Sequence, residues 1–143
     1  MKIAVLGYGT VGSGVVEVLD VNQKLIATRA KEEIEVKYVL DLRDFPGDKI
    51  QEKIVHDYEI ILNDPEIGIV VEVMGGVEPA NTFVRKALEA GKSVVTSNKA
   101  LVAKHGSALL KTAREKNVNF LFEASVGGGI PILRALGSSL TGD

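Results

Sequence analysis

The chain has 143 residues, 45% hydrophobic and 25% charged, with a formal net charge of −2 and no cysteine. That size and balance suit one soluble globular domain able to bury its own core. The missing cysteines exclude disulfides, thiolate catalysis and cysteine-ligated zinc. The lack of a basic run argues against nucleic acid, and no apolar stretch reaches the ~20 residues that span a membrane.

Met1-Lys2-Ile3-Ala4-Val5-Leu6 opens the chain as a short apolar strand of the buried, parallel kind. Beginning so close to Met1, it leaves no room for a signal peptide, and the cytoplasm is the expected compartment. Gly7-Tyr8-Gly9-Thr10-Val11-Gly12 follows at once, and Val11, Val15, Val18, Leu19 and Ile26 then recur at helical spacing. A G-x-G-x-x-G string in that strand-to-helix context reads as a dinucleotide site. Gly7 permits the turn, Gly9 lets backbone approach a pyrophosphate, and Gly12 lets the helix lie on the strand. The helix's free N–H groups then face the phosphates. A structural turn in some other α/β protein is the alternative.

Residues 34–40 read as the second strand, and Asp41 to Lys49 as a polar loop. A short strand is expected at Ile54 to His56 and a brief helix from Tyr58 to Asn63. Gly68 to Met74 reads as a central strand ending at Gly75-Gly76. Pro79 begins a helix whose apolar face is Ala80, Phe83, Val84, Ala87 and Leu88, stopped by Gly91. Val94-Val95-Thr96 is another strand, with Ser97 or Asn98 capping the helix behind it. His105, beside Gly106, is expected at a helix end, and Leu109, Thr112 and Ala113 on the inner face of a further helix. Val118 to Glu123 reads as the last strand, before Gly127-Gly128-Gly129 and a helix begun by Pro131. The alternation predicts an α/β, Rossmann-type doubly wound, mainly parallel sheet with helices on both faces.

Several residues in this scheme are candidates for chemistry. Lys99 stands in the first turn of a helix, where the positive end of the dipole disfavours an idle cation, so a site role is expected over a plain surface lysine. Gly75 and Gly76 lie at the carboxyl end of a central strand, where open α/β sheets bind ligands, although turn geometry alone would also explain them. Glu72, inside an apolar strand, must be paired, protonated or hydrogen-bonded. Glu123 precedes a glycine-rich loop, where a carboxylate beside free carbonyls suits a hard cation or, equally, a helix cap. His56 and His105 share no metal-like spacing.

Four segments together resemble the nucleotide-binding domain of homoserine dehydrogenase. They are Gly7 to Gly12, Glu72-Val73-Met74-Gly75-Gly76-Val77-Glu78-Pro79-Ala80, Thr96-Ser97-Asn98-Lys99-Ala100-Leu101, and Glu123-Ala124-Ser125-Val126-Gly127-Gly128-Gly129-Ile130-Pro131. The resemblance implies reversible reduction of L-aspartate 4-semialdehyde to L-homoserine with NAD(P)H, on the route to threonine, methionine and isoleucine. It also implies that the main acid/base residues and most homoserine contacts lie beyond Asp143, in a substrate-binding and dimerisation domain. Residues 1–135 would then be the dinucleotide-binding domain and 136–143 the start of a hinge, in a fragment of a homodimeric enzyme. By itself the fragment is expected to bind cofactor without turning over homoserine.

The resemblance places Lys99 beside the nicotinamide ribose and the substrate as an assisting catalytic residue. Thr96 and Ser97 would offer hydroxyls to the same region or cap the helix. It assigns a sodium ion to Glu123 and to main-chain oxygens of Val126, Gly128 and Ile130. Cofactor contacts are expected from Gly7, Tyr8, Gly9, Thr10, Val11, Gly12, Gly75 and Gly76, and from the tip of the second strand. An acid there accepts from the ribose 2′-OH, while an arginine pairs with a 2′-phosphate. Family members often carry arginine; this chain has Asp41, which points to NAD, with Arg43 keeping NADP as the alternative. The gap from Gly12 to Asp41 exceeds the usual ~20 residues, which asks for an extended first helix or a shifted strand end. Two other functions fit the glycine loop: a different semialdehyde or sugar dehydrogenase, which Thr96-Ser97-Asn98-Lys99 argues against, and a non-catalytic nucleotide sensor.

Overall fold

A computed structural model of the chain describes residues 1–21 and 34–124. The described strands are β1 (Lys2–Leu6), β2 (Glu35–Leu40), β3 (Ile54–Val55), β4 (Ile67–Glu72), β5 (Ser93–Thr96) and β6 (Phe120–Phe122). The helices are α1 (Thr10–Val21), α2 (Tyr58–Leu62), α3 (Ala80–Glu89) and α4 (Lys99–Glu115), with a 3-10 turn at Lys49–Lys53. All five strand pairings are parallel, in the order β3-β2-β1-β4-β5-β6. That order reverses direction between β1 and β4, which is where a doubly wound sheet opens a crevice beyond its strand ends.

Both faces of the sheet are covered, which is why its strands read as unbroken apolar runs. In β1, Ile3 and Val5 face one cluster with Val15, Val16 and Leu19 of α1 and Ile50 of the 3-10 turn. Ala4 and Leu6 face the other, with Ile61 of α2, Ala80, Val84, Ala87 and Leu88 of α3, and Leu101, Leu109 and Ala113 of α4. The period-2 alternation of strand side chains sorts neighbours in sequence into opposite cores. The register then levels the strand ends: Leu6 lies opposite Leu40 and Glu72, and Glu72 opposite Thr96.

The expected elements appear with small shifts at their ends. Gly91 takes φ +82° after α3, as a helix-terminating glycine does. Ser97 does not cap α4; Asn98 does, its Oδ1 accepting the Leu101 N–H at 3.0 Å. The placing of His105 at a helix end is corrected, because α4 runs unbroken through Gly106. Gly106 is buried within that helix, and a β-carbon there would lie 3.2 Å from Cγ1 of Val102, one turn earlier. β2 ends at Leu40 as read, so a shifted strand end does not explain the long gap to Asp41. Ile26 and the segment 125–143, with the expected helix after Pro131, lie outside the described residues.

Candidate functional site

Gly7 leaves β1 with φ +100°, a conformation side chains resist, and its N–H donates to Leu40 O at 2.8 Å across to β2. The chain turns through Tyr8 and Gly9 and enters α1 at Thr10. A β-carbon on Gly12 would stand 2.0 Å from the Gly7 carbonyl oxygen, so the helix can lie against the loop only if residue 12 is glycine. Gly9 is the reverse case: exposed, with nothing within 4 Å of where its β-carbon would be. Space is therefore kept open in front of the first amides of α1, which helix geometry leaves without internal partners. An anion such as a pyrophosphate fits that space.

The loop borders a cavity of about 500 Å³ at the carboxyl ends of β1, β2 and β4. Its walls include Gly7, Tyr8 and Gly9 from the loop, Asp41 and Arg43 after β2, and Val73 and Met74 after β4. One wall is aromatic: the Tyr58 and Phe83 rings lie 4.5 Å apart, and Tyr58 OH donates to Phe83 O at 2.7 Å. Burial pushes the Tyr58 phenol up, so it stays neutral and its ring serves as wall. A flat apolar group such as a purine suits that wall, and a sugar diol suits the Asp41 carboxylate.

Asp41 and Arg43, read from sequence as competing indicators, form one ion pair. Arg43 Nε lies 3.0 Å from Asp41 Oδ1 and Nη2 3.0 Å from Oδ2. Asp41 also accepts the backbone N–H groups of Arg43 and Tyr8, each at 2.9 Å. The Arg43 side chain, more than the opposing cost of burial, brings the Asp41 carboxyl down to about 2. The carboxylate thus ties the strand tip to the glycine loop and stays charged. Arg43 lies 5.1 Å over the Phe45 ring, which meets Tyr8 edge-on at 4.9 Å.

A second polar assembly sits behind β4 and β5. Glu72 is fully buried; its Oε2 accepts the Met74 N–H at 2.7 Å and its Oε1 the Thr96 hydroxyl at 2.6 Å. Thr96 Oγ1 in turn accepts the Asn98 N–H at 3.0 Å, and Asn98 Nδ2 donates to Gly76 O. Glu72 thus has the bracing role that a carboxylate in an apolar strand requires. The Thr96 hydroxyl, read as either a ligand contact or a helix cap, is fully buried and bonded within this assembly, where its oxygen also takes the Asn98 N–H. Gly75 and Gly76 hold φ of +79° and +73° in the exposed turn it supports, outside the cavity wall.

Ser97 is half-buried, its N–H directed to Glu72 O at 3.3 Å, and Lys99 is exposed as the first residue of α4. Thr10 and Val11 are exposed at the start of α1. Glu123 is half-buried beyond β6, its N–H donating to Thr96 O at 2.9 Å; Val126, Gly128 and Ile130 lie outside the described residues. Among the described residues, no three acidic or histidine side chains gather as a metal site, and no helix is long and apolar enough to cross a membrane. Reading the sequence missed His56, Tyr58, Met74, Pro79 and Phe83 as cavity residues. Met74 was accessible from its place after a central strand. His56 and Tyr58 reach the cavity because β3 lies beside β2, and Pro79 and Phe83 because α3 packs on the sheet behind β4, pairings that no local pattern encodes.

Residues 7–123 match the family model described as homoserine dehydrogenase, NAD binding domain. The homoserine dehydrogenase of Lactococcus lactis subsp. lactis is 43% identical, aligned over all of this chain and 35% of its own length. A crystal structure of a homoserine dehydrogenase from Thiobacillus denitrificans superposes with a TM-score of 0.80 at 42% identity, over 95% of this chain and 32% of that one. A hyperthermophilic archaeal homoserine dehydrogenase in complex with NADPH aligns with a TM-score of 0.66 at 27% identity, over 95% and 48% of the two chains. This chain spans about a third of the length of the curated relatives it matches.

Proposed function

Because the chain belongs to the homoserine dehydrogenase family, matching its NAD-binding domain, we propose that it is the cofactor-binding part of an enzyme interconverting L-homoserine and L-aspartate 4-semialdehyde. The observation that carries this reading is the open space at Gly9, between the amides of α1 and a cavity ending at Asp41. The bound nicotinamide cofactor supplies the hydride acceptor or donor. In this chain the first turn of α1, with Thr10 and Val11, binds pyrophosphate, and Asp41 takes the adenosine ribose. Tyr58, Met74, Pro79 and Phe83 enclose the base. Ser97 and Lys99, with the Gly75-Gly76 turn, border the nicotinamide end, where the Lys99 ammonium orders substrate and assists proton movement.

Residues 1–135 form the dinucleotide-binding domain and 136–143 lead into a substrate and dimerisation domain, which holds the main acid/base residues and makes the parent a homodimer. A sodium ion at Glu123, Val126, Gly128 and Ile130 braces that hinge. The setting is amino-acid biosynthesis in the cytoplasm, towards threonine, methionine and isoleucine.

NAD is the preferred cofactor: an ionised Asp41 accepts ribose hydroxyls and repels a 2′-phosphate. NADP is the second reading, favoured by Arg43 at the same position and by the NADPH complex of the archaeal relative. Dissociation constants for NADH and NADPH on this chain decide between them. NADH binds more tightly under the first reading, and Asp41→Asn narrows the gap. Tighter NADPH binding that is lost in Arg43→Ala moves the assignment to NADP.

A further inference from the structure

His56 follows β3 directly and lines the cofactor cavity, yet its ring is turned into two contacts with the loop after β2. Nδ1 lies 2.7 Å from the main-chain oxygen of Asp41, and Nε2 lies 2.9 Å from Asp44 Oδ1. Both partners are acceptors. The carbonyl has no proton to give, and Asp44 is held below the usual carboxylate range, first by the Gln51 side-chain amide that donates to it and then by His56. A neutral imidazole has one N–H and one lone pair, so it can satisfy only one of two such partners; an imidazolium satisfies both. The charged groups around the ring agree with that form. Asp41 and Asp44 face it from the loop, Arg43 is already spent on Asp41, and Tyr58 of α2 is a neutral phenol.

We propose that His56 is a positioning residue of the cofactor site, acting as a doubly protonated imidazolium that clasps Asp41 and Asp44 and so fixes the strand tip whose carboxylate meets the adenosine ribose. This rests on the dinucleotide-binding reading of the cavity. When the ring loses a proton, one of the two contacts becomes lone pair against lone pair, and the loop carrying Asp41 and Arg43 loses a tether. His56 titrates above its ordinary value, chiefly through the Asp41 carbonyl and then Asp44, so the clasp is intact below that value and lost as pH rises through it. NADH binding then weakens towards alkaline pH by about twofold to fivefold, the scale of one ion pair whose side chains are half-exposed.

The test uses the 143-residue chain and NADH, whose lack of a 2′-phosphate removes a second group titrating near pH 6. Imidazole NMR in the free chain gives the His56 pKa, and fluorescence titration gives the NADH dissociation constant from pH 6 to 9. Binding is expected to weaken with the midpoint of His56 itself, both midpoints moving down in Asp44→Asn. His56→Gln is expected to remove the pH dependence. A constant that does not change with pH, or a midpoint that Asp44→Asn leaves in place, overturns the role of His56 alone. NADH that binds at no pH overturns the cofactor reading and the proposal with it.

Discussion

The Thr96 hydroxyl donates to Glu72 Oε1 at 2.6 Å across the β4–β5 pairing, with neither side chain open to solvent. The bond joins the two strands whose carboxyl ends carry the Gly75-Gly76 turn and the approach to Lys99. Thr96→Val keeps the shape but leaves a buried carboxylate oxygen and the Asn98 N–H without their partner. A loss of about 2–4 kcal/mol is expected, read from urea unfolding with an unchanged slope. A loss under about 0.5 kcal/mol would show that water or rearrangement satisfies Glu72.

Gly12 tests the helix-to-loop contact without reference to any ligand. In Gly12→Ala the new methyl meets the Gly7 carbonyl, so α1 must move off the loop at a cost of about 2 kcal/mol or more. For a domain of this size that lowers the thermal midpoint by about 7 °C or more. An unchanged midpoint would mean that the contact yields freely.

Acid should destabilise the chain through two carboxylates held near 2, Asp41 by Arg43 and Asp64 chiefly by Lys37. Both are lowered by folding, so their contribution is complete above the unfolded value of 3.8 and disappears as pH falls towards 2. Lys37→Met removes the largest cause at Asp64, and with it the pull on Glu66, and the urea midpoint should then fall less between pH 5 and pH 3 than in the unsubstituted chain. Equal falls would refute the assignment to Asp64.

Which parts of this were legible in the sequence follows from the range of the interactions involved. The glycine loop, the parallel strands and the Asp41 strand tip depend on neighbours within a few residues, and the chain spells them out. Gly106 misled because its local signal, a helix breaker beside a histidine, is overruled by the tertiary packing of the 17-residue helix through Leu101, Leu109 and Ala113. Thr96 stayed open between a ligand contact and a helix cap, and only the register that sets it opposite Glu72 shows where the hydroxyl goes. His56 carried no motif at all. Its meaning comes from β3 lying beside β2, which brings it to Asp41 and Asp44.

Lys99 starts α4 directly after the Asn98 cap, exposed on the side of the sheet where the strands end. In the full-length enzyme, Lys99→Ala should lower kcat about 100-fold or more if the ammonium assists proton transfer. Near-normal kcat with a raised cofactor KM would reduce Lys99 to a binding residue.

The most direct test of the cofactor assignment is NADH binding by the chain and by Gly9→Val. Its β-carbon has no protein atom within 4 Å, and the branched side chain fills the space proposed for the pyrophosphate. The parent should bind NADH saturably below millimolar concentration while leaving homoserine unconverted. Gly9→Val should keep the parent's thermal midpoint within a few degrees and bind no cofactor. Equal binding by the two proteins, or none by the parent at millimolar NADH, would contradict the assignment.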